Sequence, residues 1–70
     1  MELEIDRPEL LGSLVAALRH GGCVCAELSR GRCVVWHVEA ADARQADLEL
    51  EFFLRAWRLQ HAPVDVRPVA

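Results

Sequence analysis

Cys23, Cys25 and His37 have the most specific chemistry in this chain. The two cysteines alternate along a predicted strand, so their thiols lie on the same face of it. A three-residue turn at residues 30–32 would place Cys25 opposite His37 and Cys23 opposite Glu39. Two thiolates and an imidazole within about 5 to 7 Å can bind zinc or copper. The pattern predicts either a soft-metal or thiol-redox site, or cysteines that serve only as small packing residues.

Few other side chains offer catalytic chemistry. The sequence contains no Lys, Thr or Tyr, which removes Schiff-base chemistry and two common catalytic hydroxyl groups. Gly21 and Gly22 follow a predicted helix instead of preceding one, so they do not form a phosphate-binding loop. His20 and His61 lie at predicted helix C-termini, where a positive charge is favourable. We therefore expect no enzymatic activity and no cofactor.

The charge distribution argues against nucleic acid and membrane partners. The formal net charge is -3, and the acidic residues are spread along the chain, which leaves no basic stripe for a phosphate backbone. No apolar run approaches the roughly 20 residues that cross a bilayer, and the acidic first segment does not resemble a signal peptide. Three cysteines without an export signal indicate reduced thiols. We expect a cytoplasmic protein.

The order of the predicted elements indicates the fold. An alternating strand at residues 2–6 precedes an amphipathic helix, two alternating strands, a longer helix and a final alternating strand. This β-α-β-β-α-β order over residues 1–70 predicts one α+β domain of the ferredoxin-like split βαβ type. In that fold four antiparallel strands in the order 4-1-3-2 form one sheet, and both helices cover one face of it.

Both predicted helices have capping and packing signals. Asp6 with Glu9, and Asp42 with Gln45, have the spacing of N-terminal capping boxes. The first helix is expected to end at residues 21–22. Its apolar face consists of Leu10, Leu11, Leu14, Val15 and Leu18.

The central hairpin has two alternating sets of side chains. We expect the larger apolar set to face the helices, and its members are Val24, Ala26, Leu28, Val34, Trp36 and Val38. The other set, with Cys23, Cys25, Val35 and His37, would then lie on the open face beside Glu4. This assignment depends on the strand register, because a slip of one residue moves every side chain to the other face.

The second helix carries two apolar stripes on opposite sides. Ala46, Leu50, Phe53 and Trp57 form the stripe expected to cover the sheet. Leu48, Phe52 and Leu59 form the other stripe, which either packs on the first helix or contacts a second copy of the chain.

In element order the chain is similar to three families of small binding domains. Heavy-metal-associated domains carry Cys-x-x-Cys after the first strand, where this chain has Asp6-Arg7-Pro8. RNA-recognition motifs place aromatic residues on the two central strands, where we expect Glu4 and His37 on the open face. Amino-acid-sensing ACT domains favour a glycine before the first helix, and this chain has none there.

We therefore predict a non-catalytic interaction module, working as a homodimer or as a small partner subunit of a larger protein. Leu48, Phe52 and Leu59 are the expected contact residues. A second candidate interface is the open sheet face, with Val35 and His37 at its centre. The competing hypothesis is a metal-binding or thiol-redox protein that uses Cys23, Cys25 and His37.

Overall fold

The strands and helices follow one another along the chain as the sequence predicts. The computed structural model describes residues 1–37 and 42–69, with His37 described by its backbone alone. The strands are β1 (Glu2–Ile5), β2 (Cys23–Ser29), β3 (Arg32–His37) and β4 (Val66–Pro68), and the helices are α1 (Leu11–His20) and α2 (Ala43–Gln60). The strands form one antiparallel sheet in the order β2-β3-β1-β4, which read from the other edge is 4-1-3-2. An α+β architecture with a four-stranded antiparallel sheet and two helices is confirmed.

The first helix begins later than its capping pattern suggests. Asp6 does not cap it, because its Oδ1 accepts a hydrogen bond from the Asp65 backbone N–H at 2.9 Å. Glu9 pairs instead with Arg7 at 3.0 Å, and residues Pro8–Leu10 form a single 3-10 turn before α1. The predicted capping box of Asp6 and Glu9 is therefore wrong. The apolar face of α1 is confirmed, with Leu11, Leu14, Val15 and Leu18 buried and Leu10 half-buried.

The second helix begins at the predicted cap. The Asp42 carboxylate accepts a hydrogen bond from the Gln45 backbone N–H at 2.8 Å. In the stripe expected to cover the sheet, Leu50 and Trp57 are buried and Ala46 and Phe53 are half-buried. Leu54, which the prediction did not include, is also buried. Neither α1 nor α2 combines the length and the apolarity needed to cross a bilayer.

The middle hairpin has the opposite orientation to the prediction. Cys25, Cys33 and Val35 are buried under the helices, whereas Val24 and Trp36 lie on the open face. The expectation that Trp36 faces the helices is therefore wrong. The reason is the pairing of β1 with β3, in which the buried Leu3 lies directly opposite Cys33. Directly opposed residues share a face of the sheet, so the buried position of Leu3 requires the Cys33 side chain to point toward the helices. The side chains that precede and follow Cys33 along β3 then point to the open face.

The register of the hairpin also differs from the prediction. Cys23 pairs with His37 and Cys25 with Val35, so the predicted pairing of Cys25 with His37 is wrong by two residues. The turn contains the two residues between the paired Ser29 and Arg32, instead of three, and a bulge separates Glu27 from Ser29. The turn glycine, at position 31, has φ +80°, a left-handed conformation that favours glycine.

Candidate functional site

The cysteine thiols lie on the helix-covered face of the sheet and not on its open face. Cys23, Cys25 and Cys33 are buried and unbridged. Burial raises the pKa of all three thiols, and it raises the pKa of Cys33 to about 11. Because the thiolate is the reactive and metal-binding form, these cysteines are neutral and weakly nucleophilic at neutral pH.

The predicted constellation of Cys23, Cys25 and His37 does not have its expected geometry. In the observed register Cys23 lies opposite the His37 backbone, and both thiols point toward the core. The His37 side chain and Glu39 lie outside the described residues, so metal binding by this set stays a prediction. Within residues 1–37 and 42–69, no group of three or more His, Cys, Asp or Glu side chains is arranged to hold a metal ion.

The open face of the sheet carries an apolar surface, the sheet patch, which consists of Val24, Ala26, Val34 and Trp36. Val24 pairs with Trp36 across β2 and β3, and Ala26 pairs with Val34. Val24 and Trp36 are each 51% exposed. Directly opposed side chains have Cβ atoms about 4.5 to 5.5 Å apart, so these four form one continuous surface.

Val35 is not part of this surface. We expected Val35 at the centre of an open-face interface, but it is only 1% exposed and packs under the helices, so that expectation is wrong. Its neighbour Trp36 is on the open face instead. Sequence reasoning missed the sheet patch. The alternation of Leu3 with acidic residues shows which side of β1 is buried, but the buried side of β3 also depends on the register between the two strands, which local sequence patterns do not give.

The other half of the open face is charged and balanced. The Glu4 carboxylate accepts hydrogen bonds from Arg32 Nη2 at 3.0 Å and from Arg67 Nη2 at 3.2 Å. The hydrogen bonds from Arg67 and Arg32 hold the pKa of Glu4 below its ordinary value. Glu2 lies on the same face, opposite Val34. The two carboxylates and two guanidinium groups cancel, so this half adds no net charge beside the sheet patch.

One carbonyl at the outer edge of β2 is covered by a side chain of α1. Arg19 Nη2 donates a hydrogen bond to the Cys25 carbonyl oxygen at 3.0 Å. A strand added to this edge would need that carbonyl as an acceptor, so the Arg19 side chain opposes pairing with another chain at the edge. The edge of β2 is therefore blocked at this carbonyl, whereas Val24 and Trp36 on the open face are exposed.

The outer side of α2 carries the second exposed apolar surface, the helix stripe, which consists of Leu48, Phe52 and Leu59. These side chains are 48%, 69% and 77% exposed, respectively. The alternative that they pack on α1 is therefore wrong. A different residue of α2, Phe53, fills that role, since a Cβ on Gly21 at the end of α1 would lie 3.6 Å from Phe53 Cε2.

A cleft of about 400 Å³ separates α2 from β4. Met1, Leu54 and Val66 contribute apolar surface to it. Arg58 and Asp65 also line it and form an ion pair at 3.2 Å. Because these two charges satisfy each other, they do not point to a particular class of ligand.

The sheet patch and the helix stripe are therefore the main candidate sites among the described residues. They lie on opposite sides of the domain, because α2 packs on the inner face of the sheet with its outer side toward solvent. No protein-family model, no curated protein and no solved structure matches the chain.

Proposed function

We propose that the chain is a cytosolic, non-catalytic interaction module with the ferredoxin-like split βαβ fold, and that it works by contacting another protein chain. The strand order β2-β3-β1-β4, with α1 after β1 and α2 after β3, supports the fold assignment. Three free, buried cysteines are typical of a reducing compartment, which supports a cytosolic location. The partner is a second copy of the chain or a larger protein, and the contact surface best supported for it is the sheet patch.

The position of Trp36 is the observation that carries this proposal. A chain of this size buries only about 60% of the surface that its unfolded form exposes, so each large apolar residue matters to its core. Burying the exposed part of a Trp side chain contributes about 1 to 3 kcal/mol. This chain nevertheless places Trp36 outside and Cys33 inside. A contiguous apolar surface centred on a Trp is typical of the energetic centre of a protein interface.

The charges of the open face favour a protein over a nucleic acid as the partner. An exposed aromatic residue on a central strand is also found where bases stack in RNA-binding sheets. Nucleic acid binding, however, needs uncompensated positive charge. Here Arg32 and Arg67 are both paired with Glu4, and the whole chain has a net charge of -3.

The soft-metal alternative has weaker support. Its thiols, Cys23 and Cys25, lie under the helices, and burial raises their pKa values. Metal binding would require both thiols to lose their protons and the helices to move away from them.

Site-specific photo-crosslinking in cells that express the chain tests the contact surface. A photo-crosslinking amino acid replaces Ala26, which is exposed in the sheet patch, or Ala16, which is exposed on α1 and serves as the matched control. We expect one dominant protein adduct from position 26 that is absent from position 16 and is lost on Trp36→Ser. The adduct partner, purified and mixed with the chain, should bind Trp36→Ser at least about tenfold more weakly than wild type.

Three results would contradict the proposal. The first is equal adducts from both positions, and the second is no adduct from position 26. The third is a purified partner that binds the wild-type chain and the Trp36→Ser variant equally well. An adduct between position 26 and nucleic acid would show instead that the sheet patch binds nucleic acid, the class of ligand that the charge distribution argues against.

A further inference from the structure

The exposed side of α2 has the spacing of a helix-pairing seam. Leu48, Phe52, Arg55 and Leu59 follow one another at intervals of four, three and four residues. At 100° per residue this places them within one narrow stripe along an 18-residue helix. Intervals of three and four are those of the a and d positions at which two helices pack together.

The seam is symmetric about a point near the middle of α2. Residues 48 and 59 are equally distant from that point, and so are residues 52 and 55. A two-fold axis at this point pairs α2 with an antiparallel copy of itself. It places Leu48 opposite Leu59 of the second copy, and Phe52 opposite Arg55 of the second copy, where a guanidinium group can stack on the ring.

The charge in the seam, Arg55, and the charge beside it, Glu51, fit the same arrangement. Glu51 and Arg55 are four residues apart, and no ion pair joins either of them to another residue in the described part of the chain. In the antiparallel pair, Glu51 of each copy lies beside Arg55 of the other copy. A parallel pair would place Glu51 beside Glu51 and Arg55 beside Arg55, which is repulsive.

We propose that the helix stripe is a homodimer contact in which α2 packs antiparallel against α2 of a second copy. Self-complementarity of both the apolar positions and the charges identifies the occupant as the chain itself. Because the sheet patch lies on the opposite side of each domain, the dimer presents two sheet patches on its outer sides. Two patches on one particle would bind a partner that carries two matching sites with increased avidity.

Charge exchange between positions 51 and 55 tests the contact, with self-association of the full chain measured by sedimentation equilibrium up to high micromolar concentration. Glu51→Arg and Arg55→Glu should each weaken dimerisation roughly tenfold, because each makes both intermolecular pairs like-charged. The double variant, and a one-to-one mixture of the two single variants, should each dimerise more tightly than either single variant alone, since both restore opposite pairs. They should recover most of the wild-type affinity and not all of it, because Glu at position 55 cannot stack on Phe52.

Matched controls separate this effect from net charge and from folding. Glu27→Arg on β2 and Arg30→Glu in the hairpin turn make the same changes in net charge at exposed positions away from α2. They should leave dimerisation unchanged. Thermal unfolding of each variant by circular dichroism checks that α2 persists, since a like-charge pair within one helix costs only about 0.2 to 0.5 kcal/mol.

The inference goes beyond the proposed function, and the two can fail separately. A wild-type chain that stays monomeric at high micromolar concentration overturns the dimer but leaves the sheet patch as a contact for another protein. Charge variants that dimerise like wild type, or a mixture that fails to recover, overturn the antiparallel pairing. A dimer that is lost on Trp36→Ser but persists on Phe52→Glu overturns it as well and places self-contact on the sheet patch.

Discussion

At the scale of single residues, the three thiols are the most unusual titratable groups. Cys23, Cys25 and Cys33 lie in the core and keep their protons above the pH at which an exposed thiol ionises. The chain contains no Lys and no Tyr, and Arg does not titrate below about pH 12. Between pH 9 and 11 the thiols therefore dominate the difference in bound protons between the folded and unfolded chain.

The free energy of unfolding should fall as the pH rises from about 9 to 11. In this window the unfolded chain releases protons that the folded chain retains, so alkali favours the unfolded form. Well below pH 9 the thiols are protonated in both the folded and the unfolded chain, so the effect is absent there. For Cys33 the expected loss of unfolding free energy is about 1 to 3 kcal/mol. Urea unfolding at several pH values measures this loss.

Cys33→Ala provides the control for this pH dependence. The variant should be less stable at pH 7, because it leaves a small cavity, but its stability should fall less between pH 9 and 11. An equal fall in wild type and Cys33→Ala would show that this thiol is not the group responsible.

The two tryptophans provide a matched pair for testing which surfaces are buried. Trp57 is buried under α2 and stacks on His61 with ring centroids 4.1 Å apart, whereas Trp36 is half-exposed. Trp57→Ala should cost about 3 to 5 kcal/mol, as for other buried aromatic residues. Trp36→Ala should cost less, about 1 to 2 kcal/mol, because only about half of its side chain is covered in the monomer. Urea unfolding at low protein concentration measures both, and a Trp57→Ala chain that unfolds like wild type would reverse the faces of α2.

At the scale of elements, the helices could be predicted from sequence and the orientation of the hairpin could not. The periodicity of Leu11, Leu14 and Leu18 is local, so it identifies the buried face of α1 without tertiary information. In the hairpin both alternating sets are apolar, one with Cys33 and Val35 and the other with larger side chains. Local patterning therefore does not decide between the two faces. The decision comes from the pairing of distant strands, with Leu3 opposite Cys33.

The hairpin turn depends on Gly31. Gly31 has φ +80°, and a Cβ there would lie 3.1 Å from the Ile5 carbonyl oxygen. The Gly31 carbonyl oxygen also accepts a hydrogen bond from the Ile5 backbone N–H at 2.8 Å, so the turn is held against the end of β1. Gly31→Ala should therefore destabilise the chain by about 1 to 2 kcal/mol or more.

Gly12→Ala is the matched control. Gly12 is an exposed residue of α1, and a Cβ there would have no atom within 4 Å. The same substitution should therefore stabilise the chain by about 0.5 to 1 kcal/mol through helix propensity. Thermal unfolding of the two variants should move in opposite directions, and a shift of the same sign in both would contradict the assigned turn.

At the scale of the whole molecule, a small core is enclosed between two exposed apolar surfaces. The helix stripe was predictable, because its residues repeat at helical spacing opposite the buried stripe of α2. The sheet patch was not, because it depends on the orientation of the hairpin. A dimer formed through the helix stripe covers that stripe and leaves the sheet patches exposed on its outer sides. The sheet patches are then covered only when a further protein binds.

Acrylamide quenching of tryptophan fluorescence tests the central claim that Trp36 is open to a partner on the free sheet face. Two single-tryptophan chains are compared at low protein concentration, one with Trp57→Phe and one with Trp36→Phe. We predict that Trp36 is quenched several times more efficiently than Trp57 and emits at longer wavelength, as expected from 51% and 4% exposure. Equal shielding of the two tryptophans in the folded chains would contradict the exposed sheet patch and the function proposed for it.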